Sequence, residues 1–407
     1  MEPTSFDNLK EDYLTTIDFV TSKLSKTFIY PFVGRSKNVI RCYKTICICI
    51  AITIFQLTTS LIVSKFEDWF EIINIAPNLG VCVLILVKYT KMHTKNHVYD
   101  NFLNHAKVQL WNVVDVKSNK HRKILESNTH LTKHLLFFQY YYMILLIAIV
   151  VTFPRIIMFV DTKILGNDIK YLYPFDGWYP FDKVRWYNFI YVWESWMTAI
   201  VVSLFVFCDM LHLLLSRHVC MELNILGSTM ENLISSQDRK SITKQILAKE
   251  THNNIKEKLK TIIKSHQTLV GMVADFEEVL GSGMLLIYIF GSVFICLTIL
   301  TALMVDDLYM SLRYFCFFIS LLVEVFVQCI IGQILIDNSK SLEQAIYFSD
   351  WSYADKETRQ MLHIFLIRAQ RPLKLSAKGY LIMNLNTFGG VCSLSYQFFN
   401  LLRTVYT

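Results

Sequence analysis

Much of what a soluble enzyme needs is missing from this chain. Glycine (13) and proline (7) are scarce across 407 residues, and charged residues make up only 18%. No Gly-rich loop ends in Gly-Lys-Ser/Thr, no His-Glu-x-x-His pair occurs, and no Gly-x-Ser-x-Gly elbow is present. The usual signatures of phosphate cradling, zinc-assisted hydrolysis and acyl transfer are therefore lacking, and no catalytic or metal-ligating set is expected. The chain holds no Asn-x-Ser/Thr acceptor and no internal repeat, and the latter weakens an inverted-repeat transporter. Ten cysteines occur, but none lies in the longest outer connection, 161–186, and most sit in apolar stretches, so no disulfide framework is implied. Residues 1–44 are polar and charged without a short apolar run and cleavage site, so no cleaved signal peptide is expected.

Apolar residues are what the chain has in excess: 53% are hydrophobic and 14% aromatic. They gather into seven stretches, 45–63, 72–89, 135–160, 187–215, 284–304, 314–335 and 380–402. Each approaches the roughly 20 residues that span a hydrocarbon core as helix. The second is interrupted by Asn74, Pro77 and Asn78. Of 40 Lys and Arg residues, 32 fall in the N-terminal segment and on every second connection. Cationic loops stay in the cytosol, so the N-terminus is expected inside and the C-terminus outside. That orientation is inverted relative to a G-protein-coupled receptor. The net charge of +7 is thus a topology signal, and no nucleic-acid partner is implied.

The inner connections are long and helix-prone. Leu259, Ile262, Ile263, His266, Val270 and Val273 follow a three-to-four spacing that feeds the fifth stretch through Gly281-Ser282-Gly283, read as a flexible joint. Apolar stripes below the membrane need cover: either they pack on one another within a subunit, or they form a subunit interface. His93, His97, His105, His121, His130 and His134 fall in the second inner connection, where solvated loop histidines are the expectation and a metal or proton sensor the alternative.

Ionisable residues within the spans are few. Glu194 lies beside Tyr191, Trp193, Ser195 and Trp196, where it either touches a ligand or bonds a neighbouring helix. Glu324, with Gln328 one turn on, reads as a protonated interhelical contact, and Arg155 as a snorkelling outer residue. The outer half is aromatic-rich, and a cavity there would suit a small, weakly polar organic molecule.

The last third carries a resemblance. Gly332, Leu335, Ser339, Leu342, Ala345-Ile346-Tyr347, Trp351, Arg359 and Leu362, then Arg368-Ala369-Gln370-Arg371-Pro372, Gly379 and Ser395-Tyr396 before Leu401-Leu402-Arg403, resemble the signature of insect odorant receptors. Trp178-Tyr179-Pro180-Phe181-Asp182 is similar to that family's outer-loop motif. Ser395-Tyr396-Gln397-Phe398-Phe399 partly echoes the related gustatory receptors, but the Leu-Leu-Arg ending and the Arg-Pro run favour the odorant branch. The resemblance implies an all-α integral membrane protein of seven transmembrane helices, N-terminus cytoplasmic, C-terminus extracellular, extended into a cytoplasmic anchor region. Residues 1–44 would be cytoplasmic, 45–336 would hold helices one to six, 337–379 the anchor and 380–407 the pore-lining seventh helix.

By the same resemblance the chain is no enzyme and carries no cofactor. It would be a tuning subunit of an odorant-gated, non-selective cation channel in the plasma membrane of sensory neurons. Its partners would be the olfactory co-receptor in a tetramer, a small volatile odorant, membrane lipid, and monovalent and divalent cations as permeant ions. Carried over by region, the ligand pocket involves Ile73, Val151, Met158, Tyr191, Ser195, Met197 and Phe294. The pore gate falls on Phe399 and Arg403, and the cytoplasmic interface on Leu342, Ile346, Trp351, Leu362 and Phe365. A gustatory channel of the same fold is the alternative, with a G-protein-coupled receptor further off.

Overall fold

The computed structural model describes residues 4–63, 69–164, 166, 171–175, 177–245, 248–305 and 308–406. The apolar stretches form helices that start or end well outside the hydrocarbon core. They are α2 (Lys37–Val63), α3 (Trp69–Thr94), α5 (Asn119–Lys163), α6 (Tyr187–Glu231), α8 (Ala248–Met304) and α9 (Leu308–Tyr347). These six are long and apolar enough to cross a membrane. At about 1.5 Å per residue, the 57 residues of α8 run on the order of 85 Å, nearly three times a ~30 Å hydrocarbon core. The surplus of α5, α6, α8 and α9 forms a helical body on the inner side.

The central helix is α6, which packs against α5 and α9 and also touches α2, α3 and α8. Within its most apolar window 67% of residues are buried, against 11% for α5, so α6 reads as a core helix and α5 as a lipid-facing one. The N-terminal segment, expected to be simply polar, forms α1 (Thr4–Lys26). Its Tyr13, Ile17, Val20 and Leu24 are buried at three-to-four spacing against α5 and α6. Lys133 Nζ to Asp12 Oδ1 at 2.8 Å and Lys107 Nζ to Asp18 Oδ1 at 3.2 Å pin its polar face.

Short helices complete the inner body: α4 (Asn96–Lys107), α7 (Ser236–Thr243) and α10 (Lys356–Ala369). Asp355 caps α10 by accepting the Thr358 N–H at 3.2 Å. Two expectations change here. Gly281-Ser282-Gly283 is no joint, because α8 is helical straight through it. The glycine instead makes room for the hairpin of β1 (Ser376–Ala377) and β2 (Leu381–Ile382), which pair antiparallel. A Cβ on Gly281 would sit 3.0 Å from the Lys378 nitrogen, and one on Gly332 of α9 would sit 2.3 Å from the Met383 carbonyl oxygen. Residues 380–384, expected to open the last span, belong to this hairpin and its exit, and the last helix is α11 (Leu385–Tyr406). Gly379, at φ +78°, closes the hairpin turn.

The inner stripes are covered within the chain. Leu342, Ile346, Leu362 and Phe365, expected at a subunit interface, are instead buried in the subunit's own core. Of that set Trp351 alone is exposed, at 47%, alongside the exposed Tyr347, Phe348, Tyr353, Ile364 and Ile367.

Candidate functional site

The outer half is organised by Glu194. Its side chain is fully buried and accepts from the Phe175 N–H, the Gly177 N–H and the Tyr179 hydroxyl, each at 3.1 Å. Of the two readings left open by the sequence, hydrogen bonding describes its described contacts, but the partner is the outer connection rather than a neighbouring helix. One carboxylate thus holds 171–175 and 177–179 down over the helix ends. Arg313 helps from α9, donating Nη2–H to the Pro174 carbonyl at 3.0 Å.

Beneath that cover lies an aromatic cluster of Tyr173, Tyr179, Tyr187, Ile190 and Tyr191, with Met158 packed against it. Tyr191 donates its hydroxyl to the Val151 carbonyl at 2.6 Å, and the Arg155 guanidinium lies 4.2 Å over its ring. Arg155 therefore folds back onto α6 instead of snorkelling. Of the residues expected to line a pocket, Val151, Met158 and Tyr191 come together here.

Ser195 lies one turn along α6 from Tyr191, and its Oγ is buried without a hydrogen-bond partner. Met197 is fully buried in the main core. Phe294 stacks on Phe290 at 5.6 Å and presses on Gly80 of α3, where a Cβ would come within 2.5 Å of its ring. The side chain of Ile73 lies outside the described residues. The cluster is closed by its own rings, and the two cavities described, about 20 and 10 Å³, lie on the inner side. Each has room for about one water.

Deeper, Lys88 Nζ lies 2.7 Å from Asp209 Oδ1 and 3.6 Å from Glu324 Oε1, with the Gln328 amide donating to both carboxylates at 3.0 and 3.2 Å. Glu324 is thus the interhelical contact anticipated for it, shared with Lys88, Asp209 and Gln328. Sequence reading missed Lys88 and Asp209 as partners because one sits at a span's end and the other in a long apolar run.

The last helix has two faces. Val391 and Ser395 are buried, Ser395 donating Oγ–H to the Ser292 carbonyl at 2.9 Å, and α11 packs on α8 and α9. Asn386, Gly390, Ser393, Gln397, Asn400 and Thr404 are all exposed and fall on one stripe at about 100° per residue. That stripe keeps α11 from the six helices apolar enough to cross lipid unaided. Phe399, expected to narrow the pore, is half-buried toward the packed edge and lies off the stripe, while Arg403 is exposed beside it.

The 7tm Odorant receptor family model matches residues 71–396. Putative odorant receptor 85d of Drosophila melanogaster is 34% identical over 154 residues, covering 37% of this chain and 36% of that protein. Odorant receptor 67c of the same fly is 27% identical over 262 residues, covering 63% and 61%. The aligned stretches thus span about a third to three fifths of these relatives' length. The olfactory receptor OR5 of Machilis hrabei superposes with a TM-score of 0.79 at 15% identity, covering 97% of this chain and all of that one. A second structure of OR5 is a complex with eugenol, at the same TM-score. With its family match running through most of the chain, this protein belongs to the 7tm odorant receptor family: it is a multi-pass, seven-helix, all-α membrane receptor and not an enzyme.

Proposed function

We propose that the chain is a tuning subunit of an odorant-gated, non-selective cation channel. It would work with the olfactory co-receptor in a tetramer in the plasma membrane of sensory neurons. The observation that carries this reading is the stripe Asn386–Ser393–Gln397–Asn400–Thr404 on α11. Packed on its neighbours through Val391 and Ser395, α11 carries amides and hydroxyls along one stripe of its exposed surface, which lipid tails do not solvate. A water-filled path on the symmetry axis of an oligomer does. Gln397 and Asn400 are then the polar lining, with Leu401 and Tyr396 on its two flanks. Phe399 supports α11 from behind, and the co-receptor's subunits offset the positive charge of Arg403. The exposed Tyr347, Phe348, Trp351, Tyr353, Ile364 and Ile367 supply the inner contacts between subunits.

The ligand enters the outer half among Val151, Met158, Tyr191 and Ser195. It is a small, weakly polar volatile with one acceptor or hydroxyl for Ser195 Oγ. It opens the channel only as far as it binds the open arrangement more tightly than the closed one. The deciding experiment is co-expression with the co-receptor in oocytes, with a panel of volatile esters, alcohols, aldehydes and phenols applied under voltage clamp. An evoked current whose cation permeability ratios shift in Gln397→Leu and Asn400→Leu supports the reading. Evoked currents with permeability unchanged in both variants would remove α11 from the conduction path.

A further inference from the structure

The inner body holds a constellation that odorant detection does not use. His218 and Glu222 are one turn apart on α6, and α4 brings His105 against them. All three are buried, at 6%, 2% and 1% exposure for His105, His218 and Glu222. His105 Nδ1 lies 3.2 Å from His218 Nε2 and 3.5 Å from Glu222 Oε2, and His218 Nε2 lies 3.6 Å from the same oxygen. Three ligand atoms on a tetrahedral ion with bonds of about 2.0–2.1 Å stand about 3.3–3.4 Å apart, whereas octahedral neighbours stand at about 2.9 Å. The observed triangle fits the tetrahedral ion.

A hydrogen bond between the two imidazoles would satisfy them, but it leaves Glu222 Oε2, which is buried and has no hydrogen-bond partner among the described residues. On its far side His218 Nδ1 is 2.8 Å from the Tyr13 hydroxyl of α1. That is the outer-shell arrangement that fixes which imidazole nitrogen is free for a metal.

We propose that His105, His218 and Glu222 bind one Zn²⁺ ion, with a water completing the tetrahedron. The ion would bridge the connection between the second and third spans to the central helix, and through Tyr13 to the N-terminal helix. Nothing in this depends on which odorant is bound, or on conduction.

The test uses the full-length receptor, purified in detergent and stripped with a chelator. It is titrated with Zn²⁺ alone against a competing fluorescent chelator, and separately with Co²⁺ while visible absorption is recorded. Expected are one tight equivalent per chain and the intense d–d bands of tetrahedral cobalt. Glu222→Gln, which keeps the shape and loses the anionic oxygen, should weaken that equivalent at least about tenfold. His130→Ala, removing one of an exposed pair whose Nε2 atoms are 3.1 Å apart, should leave it intact. The proposal is overturned if Glu222→Gln binds as tightly as the parent, or if His130→Ala abolishes the tight equivalent. It is equally overturned if wild-type protein with cobalt shows no tetrahedral bands, a result that needs no variant to fold.

Discussion

Two glutamates on one helix have opposite surroundings. Glu194 and Glu222, some 28 residues apart on α6, are about 42 Å from each other along its axis, and both are fully or almost fully buried. The outer one is caged by two backbone N–H groups and a phenol from a connection folded onto it. The inner one holds an oxygen with no hydrogen-bond donor among the described residues, 3.5 and 3.6 Å from two imidazole nitrogens. Burial alone therefore does not say what a carboxylate is for. A caged one organises structure, and an open-handed one leaves a position for something else to fill.

The sharpest way to break this comparison is Glu194→Leu. Three buried donors would lose their acceptor at a cost of about 1–3 kcal/mol each, so the outer connection should come loose and surface delivery fall several-fold. Surface biotinylation reads this directly, and Glu194→Gln should recover part of it. Delivery of Glu194→Leu at the parental level would mean the cage is incidental.

Acid probes the partnered histidines away from the Glu222 cluster. Burial, with Arg368 nearby, lowers His266 to about 4, and burial also lowers His121. A folded-state value below the unfolded one means stability is complete above about pH 6.5 and is lost as pH falls toward the folded value. His266 alone should remove roughly 2 kcal/mol by pH 5, at about 1.4 kcal/mol per unit. Thermal melts from pH 7 to 5 should show the fall, and His266→Gln should flatten it.

Ser195 is the outer counterpart of the unfilled position. Removing its hydroxyl in Ser195→Ala should raise the half-maximal concentration of a hydroxyl- or carbonyl-bearing agonist by about threefold to tenfold. Hydrocarbon agonists should be unaffected. Equal shifts for both classes would make it a packing residue. The smallest effect belongs to Glu222→Gln in chelator-stripped protein. An amide there can donate to the imidazoles, so the melting temperature should stay level or rise slightly, whereas Glu194→Gln lowers it. A large fall in the Glu222 variant would show that its free oxygen is satisfied after all.

Hydropathy is a local property, which is why six spans were legible and their cores fell where the apolar runs do. Exact ends were not, although the three-to-four spacing of Leu259, Ile262, His266 and Val273 did mark the helical extension that feeds the fifth span. The N-terminal helix escaped notice because Tyr13, Ile17, Val20 and Leu24 are diluted by charges that face outward. Gly281-Ser282-Gly283 looked flexible, since space for a distant hairpin cannot be read from neighbours in sequence.

The histidines show the same limit. Of the six in the second inner connection, His105 and His121 are buried by helices from elsewhere in the chain, while His130 and His134 are not. His218 and Glu222, one turn apart in a long helix, were not singled out in the sequence, and they meet His105 only through α4. In the outer half, aromatic richness marked the region where Val151, Met158 and Tyr191 lie together. Glu194's role depended on which way the connection folds, which hydropathy does not encode.

The hairpin seated in the Gly281 and Gly332 notches leads straight into the last helix, with Met383 two residues before it starts. The foot of α11 thus rests on a hard steric stop against both α8 and α9. Any swing of that helix has to pivot above this footing, as a mast bends above its step. A single methyl at Gly332 would tilt the whole mast.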